Sequence, residues 1–212
     1  YINKTYSDMI EIKGIEKSFD DNHVLKNVSF TFEKGKTNLI IGESGSGKTT
    51  LLKILVGLHK KDQGTILFNG EDINKMSNKE IRRFRQEIGM LFQGAALYDY
   101  LTVEENIMFP LNMFTNKTHR EKLQRVNSCL KRVNLEGKND LMPSELSGGM
   151  TKRVAIARAI SMQPKYLLCD EPNSGLDPKT AILIDNLIHE ITEEFDMTTI
   201  VNTHDMNSVM QI

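Results

Sequence analysis

A mixed α/β fold with a parallel core sheet is what this sequence predicts, and three observations carry the prediction. Apolar periodicity switches repeatedly along the chain between the alternating pattern of strands and the stripe pattern of helices. A glycine-rich segment, Gly42 to Thr49, stands between an apolar strand-like run and a helix-like one. The region from about 94 to 160 reads as purely helical between flanks that carry strands, which marks it as an inserted helical subdomain.

The 212 residues suit a single large domain. With 39% hydrophobic and 26% charged residues there is enough apolar material for a core, which excludes a disordered chain. Lys and Arg number 27 against 28 Asp and Glu, so no global field draws the chain to nucleic acid or to anionic membranes. Cys129 and Cys169 form neither a CxxC pair nor a framework, as suits a reducing, cytoplasmic compartment. The long apolar stretch Leu51 to Leu58 is broken by Lys53 and falls far short of the ~20 residues that span a bilayer. Lys4, Asp8 and Glu11 interrupt the first apolar residues, which do not read as a signal peptide.

In chain order, Ile10 to Ile15 and Val28 to Phe32 alternate apolar with polar residues, as half-exposed strands do. Leu39 to Ile41 and Tyr166 to Cys169 read as buried strands. Thr65 to Phe68 followed by Asn69-Gly70 is a hairpin signal, because both central residues of a type I′ turn need positive φ. A helix striped by Leu51, Leu52, Leu55 and Leu58 follows the glycine-rich segment. Ser77 with Glu80, Thr102 with Glu105, and Thr118 with Glu121 have capping-box spacing. The third opens a helix striped by Leu123, Val126, Leu130 and Val133 that ends shortly before Gly137. Val154, Ala157 and Ile160 stripe a further helix, and Asp177-Pro178 starts one whose inner face is Ile184, Leu187, Ile188, Ile191 and Phe195. Arg82, Arg83 and Arg85 read as a solvated helix face rather than a nucleic-acid contact.

Gly42-Glu43-Ser44-Gly45-Ser46-Gly47-Lys48-Thr49 fits GxxxxGK[ST] in its required strand–loop–helix context. Glycines let backbone N–H groups converge on phosphate oxygens, and the helix N-terminus adds partial positive charge. Lys48 then reaches the β and γ phosphates of a nucleotide, and Thr49 offers its hydroxyl to Mg²⁺. Downstream, the apolar run Tyr166 to Cys169 ends in Asp170 and Glu171, far enough along the chain to lie parallel beside the phosphate-loop strand. Asp170 suits the Mg²⁺ shell and Glu171 a general base for an attacking water. Leu146-Ser147-Gly148-Gly149-Met150 puts a serine and two glycines at a second helix N-terminus suited to anions.

These motifs resemble, in order, those of the ATP-binding cassette (ABC) ATPases, whose signature is LSGGQ, and the likeness runs from about residue 10 to 212. The resemblance implies that Phe19 stacks on adenine and that Gly42, Ser44, Gly45, Ser46, Gly47, Lys48, Thr49 and Thr50 hold the nucleotide. It further implies a Q-loop glutamine at Gln93 that senses the γ-phosphate through Mg²⁺, a D-loop at Ser174 to Asp177 and a switch histidine at His204. Taken alone, His204 fits equally well a cap for a helix starting near Asp205. The family's architecture implies an N-terminal antiparallel β portion, a core of residues 1–93 and 161–212, and the helical subdomain between them. It also implies further strands after the histidine, so the end at Ile212 reads as a truncation. Two copies are expected to dimerise head to tail around ATP, each offering Ser147, Gly148 and Gly149 to the partner's nucleotide.

Leu91 to Asp99 and Leu141 to Met150, with methionine closing the signature, look like the ATPases of Mla-type phospholipid transporters that serve MCE proteins. That narrower resemblance implies a bacterial subunit on the cytoplasmic face of the inner membrane, held there by a permease alongside an MCE-type lipid-binding protein. Lipoprotein-release and cell-division ATPases are the close alternatives. A soluble ABC protein acting on DNA or ribosomes lacks its usual second cassette, coiled coil or zinc module here, and a non-hydrolysing module would not need Glu171. The apolar-aromatic segment Gly94 to Leu101 fits core packing and permease docking equally.

Overall fold

The computed structural model describes residues 9–204. Two sheets organise the chain. The first is antiparallel, in the order β2-β1-β4-β5, with β1 at Ile10–Phe19, β2 at Asn22–Phe32, β4 at Gln63–Phe68 and β5 at Glu71–Asp72. Its β4–β5 turn is the one foreseen, Asn69 and Gly70 having φ of 51° and 81°. The second sheet is parallel, in the order β3-β8-β7-β6, with β3 at Thr37–Ile41, β6 at Ile88–Leu91, β7 at Tyr166–Asp170 and β8 at Thr198–Thr203.

Strand alternation divides the interior in two. Tyr166, Leu168 and Ile200 point to one face of the parallel sheet, while Leu167, Cys169 and Val201 point to the other. The first face meets α1 (Lys48–Leu55) through Leu51, Leu52, Ile54 and Leu55, and α1 in turn meets Ile10, Ile12, Ile66 and Phe68 of the antiparallel sheet. The second face is covered by α5 (Gly148–Ile160) and α6 (Pro178–Glu194), with α3 (Val103–Phe114) and α4 (His119–Arg132) packed beyond them. A strand buried on both faces needs apolar residues throughout, and β7 is buried at every position.

Two readings are corrected. The run Leu39 to Ile41 is only partly buried, with Ile41 46% exposed, because β3 is the outermost strand of the described sheet and opens into the phosphate loop. Leu58 and Phe195 do not extend their helical stripes: they are 58% and 38% exposed and fall beyond the last helical residues Leu55 and Glu194. The α4 helix ends shortly before Gly137, as expected: Arg132 is its last helical residue, Asn134 follows with φ 55°, and Leu135 N–H returns to the Leu130 carbonyl at 2.8 Å.

All three capping boxes form. Their strong half is the glutamate, which accepts the cap residue's N–H at 2.7 Å for Ser77 and 2.8 Å for both threonines. Arg82, Arg83 and Arg85 are exposed on α2 (Asn78–Arg85), as a solvated face requires. Among the described residues no helix is long and apolar enough to cross a membrane.

Candidate functional site

The phosphate-loop residues lie between β3 and α1, close to the β1–β2 hairpin. Gly47 begins α1 with φ 94°, and a Cβ there would come within 2.9 Å of both Val24 and Leu25 of β2. Only glycine meets both demands. Ser44, Gly45 and Ser46 are exposed, whereas Lys48 is buried and its ammonium donates to the carbonyls of Gly42 at 2.7 Å and Glu43 at 2.8 Å. Thr49 turns inward, its hydroxyl donating to Asp170 Oδ1 at 2.8 Å, and Thr50 follows in the same helical turn.

The parallel register carries the acids to the same end of the sheet. Asp170, at the end of β7, lies opposite Asn202 of β8 and accepts from its Nδ2 at 2.7 Å. Glu171 follows with φ 45°, a left-handed conformation that costs a non-glycine residue about 1–3 kcal/mol. Its N–H donates to the Asn202 side-chain oxygen at 2.7 Å. Its carboxylate accepts from Gln93 Nε2 at 3.0 Å and pairs with His204 Nδ1 at 2.9 Å. An ionised carboxylate only accepts, so His204 carries its proton on Nδ1 in this arrangement. Gln93 Nε2 also donates to the Ser174 hydroxyl at 3.3 Å, which ties the segment after β6 to the segment after β7.

The site residues thus form three groups. Lys48, Thr49 and Asp170 lie along the phosphate loop, and Gln93, Glu171, Ser174 and His204 form a hydrogen-bonded cluster one residue away. Ser147 stands apart as the N-cap of α5, accepting from Met150 N–H at 3.3 Å. With Gly148 and Gly149 it lines a cleft of 330 Å³ whose other wall is Gly175, Leu176, Asp177 and Thr180, and no phosphate-loop residue borders it. Phe19 ends β1, 41% exposed, with its edge against His59 at 5.6 Å and the Lys17 ammonium 5.1 Å from its centroid. The helix start near Asp205 lies outside the described residues.

Two participants escape a reading of motifs. Lys152 of α5 is buried and donates to the Gln93 carbonyl, and burial pushes its ammonium below the usual lysine range while Asp170 and Glu171 partly restore it. Asn202 is buried between the two acids. The only sequence signal for it is one amide in an otherwise apolar or hydroxylated strand.

The donors fit a small hard cation. A hydroxyl and a carboxylate meet at 2.8 Å between Thr49 and Asp170, and Mg²⁺ needs only one or two protein oxygens when phosphates and waters complete its shell. Among the described residues no cluster of three or more His, Cys, Asp and Glu offers a metal an all-protein cage.

Fold and site together define a phosphate-loop nucleotide-binding domain. The chain belongs to the ABC transporter family, whose pattern matches residues 25–174. It is 42% identical over 204 residues to the methionine import ATP-binding protein MetN of Clostridium tetani, covering 96% of this chain and 64% of that protein. It is 40% identical over 205 residues to the intermembrane phospholipid transport ATP-binding protein MlaF of Haemophilus influenzae, covering 97% of this chain and 78% of that protein. Among solved structures, the dimeric bacterial ABC transporter cassette MJ0796 superposes with TM-score 0.85 at 34% identity, covering 95% of this chain and 90% of the cassette. The same cassette in a post-hydrolysis dimer bound to ADP and Pi gives TM-score 0.84, at 34% identity and 94% and 89% coverage. The chain spans less than two thirds of the MetN relative's length.

Proposed function

We propose that this chain is the ATP-hydrolysing subunit of an ABC transporter, driving phospholipid movement through a partner permease on the cytoplasmic face of the inner membrane. The observation that carries the hydrolytic reading is the Glu171 carboxylate, held between Gln93 and His204 one residue beyond Asp170. In that setting the phosphate-loop amides and Lys48 bind the β and γ phosphates, whose oxygens replace the Gly42 and Glu43 carbonyls as partners of the ammonium. Thr49 and Asp170, with Gln93, would hold Mg²⁺, which neutralises charge building on the phosphates. Glu171 takes the proton of the attacking water, Gln93 and His204 orient it, and Phe19 stacks on the base. The separation of Ser147 to Gly149 from the phosphate loop supports a head-to-tail dimer in which each copy completes the other's site.

Glu171→Gln tests the reading. The amide can hydrogen-bond the water but cannot accept its proton, so ATP affinity is kept and turnover falls by about 100-fold or more. Nucleotide titration beside phosphate-release kinetics reads both quantities, and near-normal turnover removes Glu171 from the role.

Phospholipid is favoured as cargo by Met150 closing the signature and by the likeness to MlaF over nearly the whole chain. The MetN likeness makes methionine the competing cargo. Mass spectrometry of lipids and amino acids co-purifying with the permease complex separates the two, and it also reveals whether an MCE-type partner is present.

A further inference from the structure

Asn202 is fully buried in β8, an inner strand of the parallel sheet, where its register partner is Asp170. A buried carboxamide brings donors and an acceptor that must both be matched. Here Nδ2 donates to Asp170 Oδ1 and Oδ1 accepts the Glu171 backbone N–H, each at 2.7 Å. Those partners fix which end of the amide is which, since the flipped form would set N–H against N–H and oxygen against carboxylate.

One side chain therefore serves both acids, through different handles. On Asp170 it joins the Thr49 hydroxyl as a second donor to Oδ1, and neither bond uses Oδ2. On Glu171 it holds the backbone rather than the carboxylate, and the Asn202 carbonyl shares the same N–H at 3.2 Å. Glu171 sits at φ 45°, a conformation that an L-residue keeps only where its surroundings over-determine it. That backbone turn is what aims the Glu171 carboxylate between Gln93 and His204.

We infer that Asn202 is a positioning residue for ATP hydrolysis: it locks Glu171 in the left-handed turn that presents its carboxylate to Gln93 and His204, and it orients Asp170 on the Thr49 hydroxyl. This rests on the reading of Glu171 as the general base. Asn202 touches neither phosphate loop nor nucleotide in this account, so its loss acts on turnover and leaves Mg²⁺-free nucleotide binding alone.

Asn202→Val and Asn202→Thr test it, because the two replacements share a shape and a preference for strands and differ only in one hydroxyl. For the full chain, turnover, the Kd of a fluorescent ATP analogue without Mg²⁺ and the melting temperature are measured for both, with Glu171→Gln in parallel. The valine variant is expected to lose about 10-fold or more in turnover and the threonine variant several-fold less, since its hydroxyl restores one of the two bonds. Both should keep Kd within about twofold, and the valine variant should melt no lower than the threonine variant. The inference is overturned if Asn202→Val turns over like the unmodified chain, if both variants lose turnover equally and in step with melting temperature, or if Kd rises in step with the loss. Normal turnover in Glu171→Gln defeats the general-base reading itself, whereas a dead Glu171→Gln beside an active Asn202→Val defeats only the positioning role.

Discussion

Lys48 is buried although the loop around it is exposed, and the cause is local: its ammonium has turned back onto the carbonyls of Gly42 and Glu43. Removing that ammonium leaves two carbonyls on an exposed loop that water can satisfy, so stability should change little. Binding should suffer, because a charge-assisted contact to phosphate is worth about 1.5–3 kcal/mol. Lys48→Ala is therefore expected to raise the Kd for ATP by about 10- to 100-fold with an almost unchanged melting temperature. Fluorescence titration and a melting curve on the same sample check both halves. Residues of this kind are legible in a sequence because loop, lysine and threonine are contiguous. Asn202 is not, since its partner Asp170 lies 32 positions away and only the register of β7 against β8 joins them.

Helix starts were readable and helix ends less so, for the same reason of range. A capping box is written in four consecutive residues, and all three form. An end depends on where the last turn meets its neighbours: α1 closes before Leu58 and α6 before Phe195. Sheet order is less local still, which is why β3 could not be seen as an outer strand from its apolar run alone. The box at α4 also makes a prediction. Hydrogen bonds from the Thr118 hydroxyl, then from its backbone N–H, hold the Glu121 carboxyl below the usual glutamate range. A carboxyl whose folded pKa is depressed stabilises the fold above its unfolded pKa, and that contribution fades as pH falls through the folded value. Thr118→Ala is expected to lower the melting temperature by about 2–4 °C at pH 7. The gap between variant and parent should narrow as pH falls below the ordinary glutamate range and through the depressed folded value of Glu121, and melting curves from pH 7 to pH 3 would show a constant gap if the cap were not coupled to that charge.

At the scale of the whole molecule, the segment Gly94 to Leu101, which allowed core packing or permease docking in the sequence, is in part packed into the helical core. Ala95 is buried, and Leu97 packs against the helical core. The Tyr98 backbone is held at both ends by the buried Asn106 side chain, at 2.8 and 3.1 Å. Arg158 of α5 fixes the left-handed pair Ala95 and Ala96 by donating to both carbonyls at 2.7 Å. What remains open is a groove of 560 Å³ bounded by Ala96, Tyr98, Phe109, Pro110, Met113 and Phe114. Met113 and Phe114 are 60% and 47% exposed there, apolar anchors of the kind a short permease helix would use. The groove also borders the Gln93 segment, since Phe92 lies on its wall directly before Gln93. A helix docked there would share that element with the nucleotide site, and Lys152 of α5 donates to the Gln93 carbonyl. Two substitutions separate packing from docking. Leu97→Asp places a carboxylate against the helical core at a cost of about 2 kcal/mol or more, a fall of about 5 °C or more in melting temperature. Met113→Asp alters an exposed side chain and should leave the melting temperature and the ATP affinity of the chain within error, yet reduce the amount of permease retained on co-purification and the transport by the reconstituted complex. Full permease retention and transport by Met113→Asp would show that the partner docks elsewhere, and an unchanged melting temperature in Leu97→Asp would show that the segment is not part of the core.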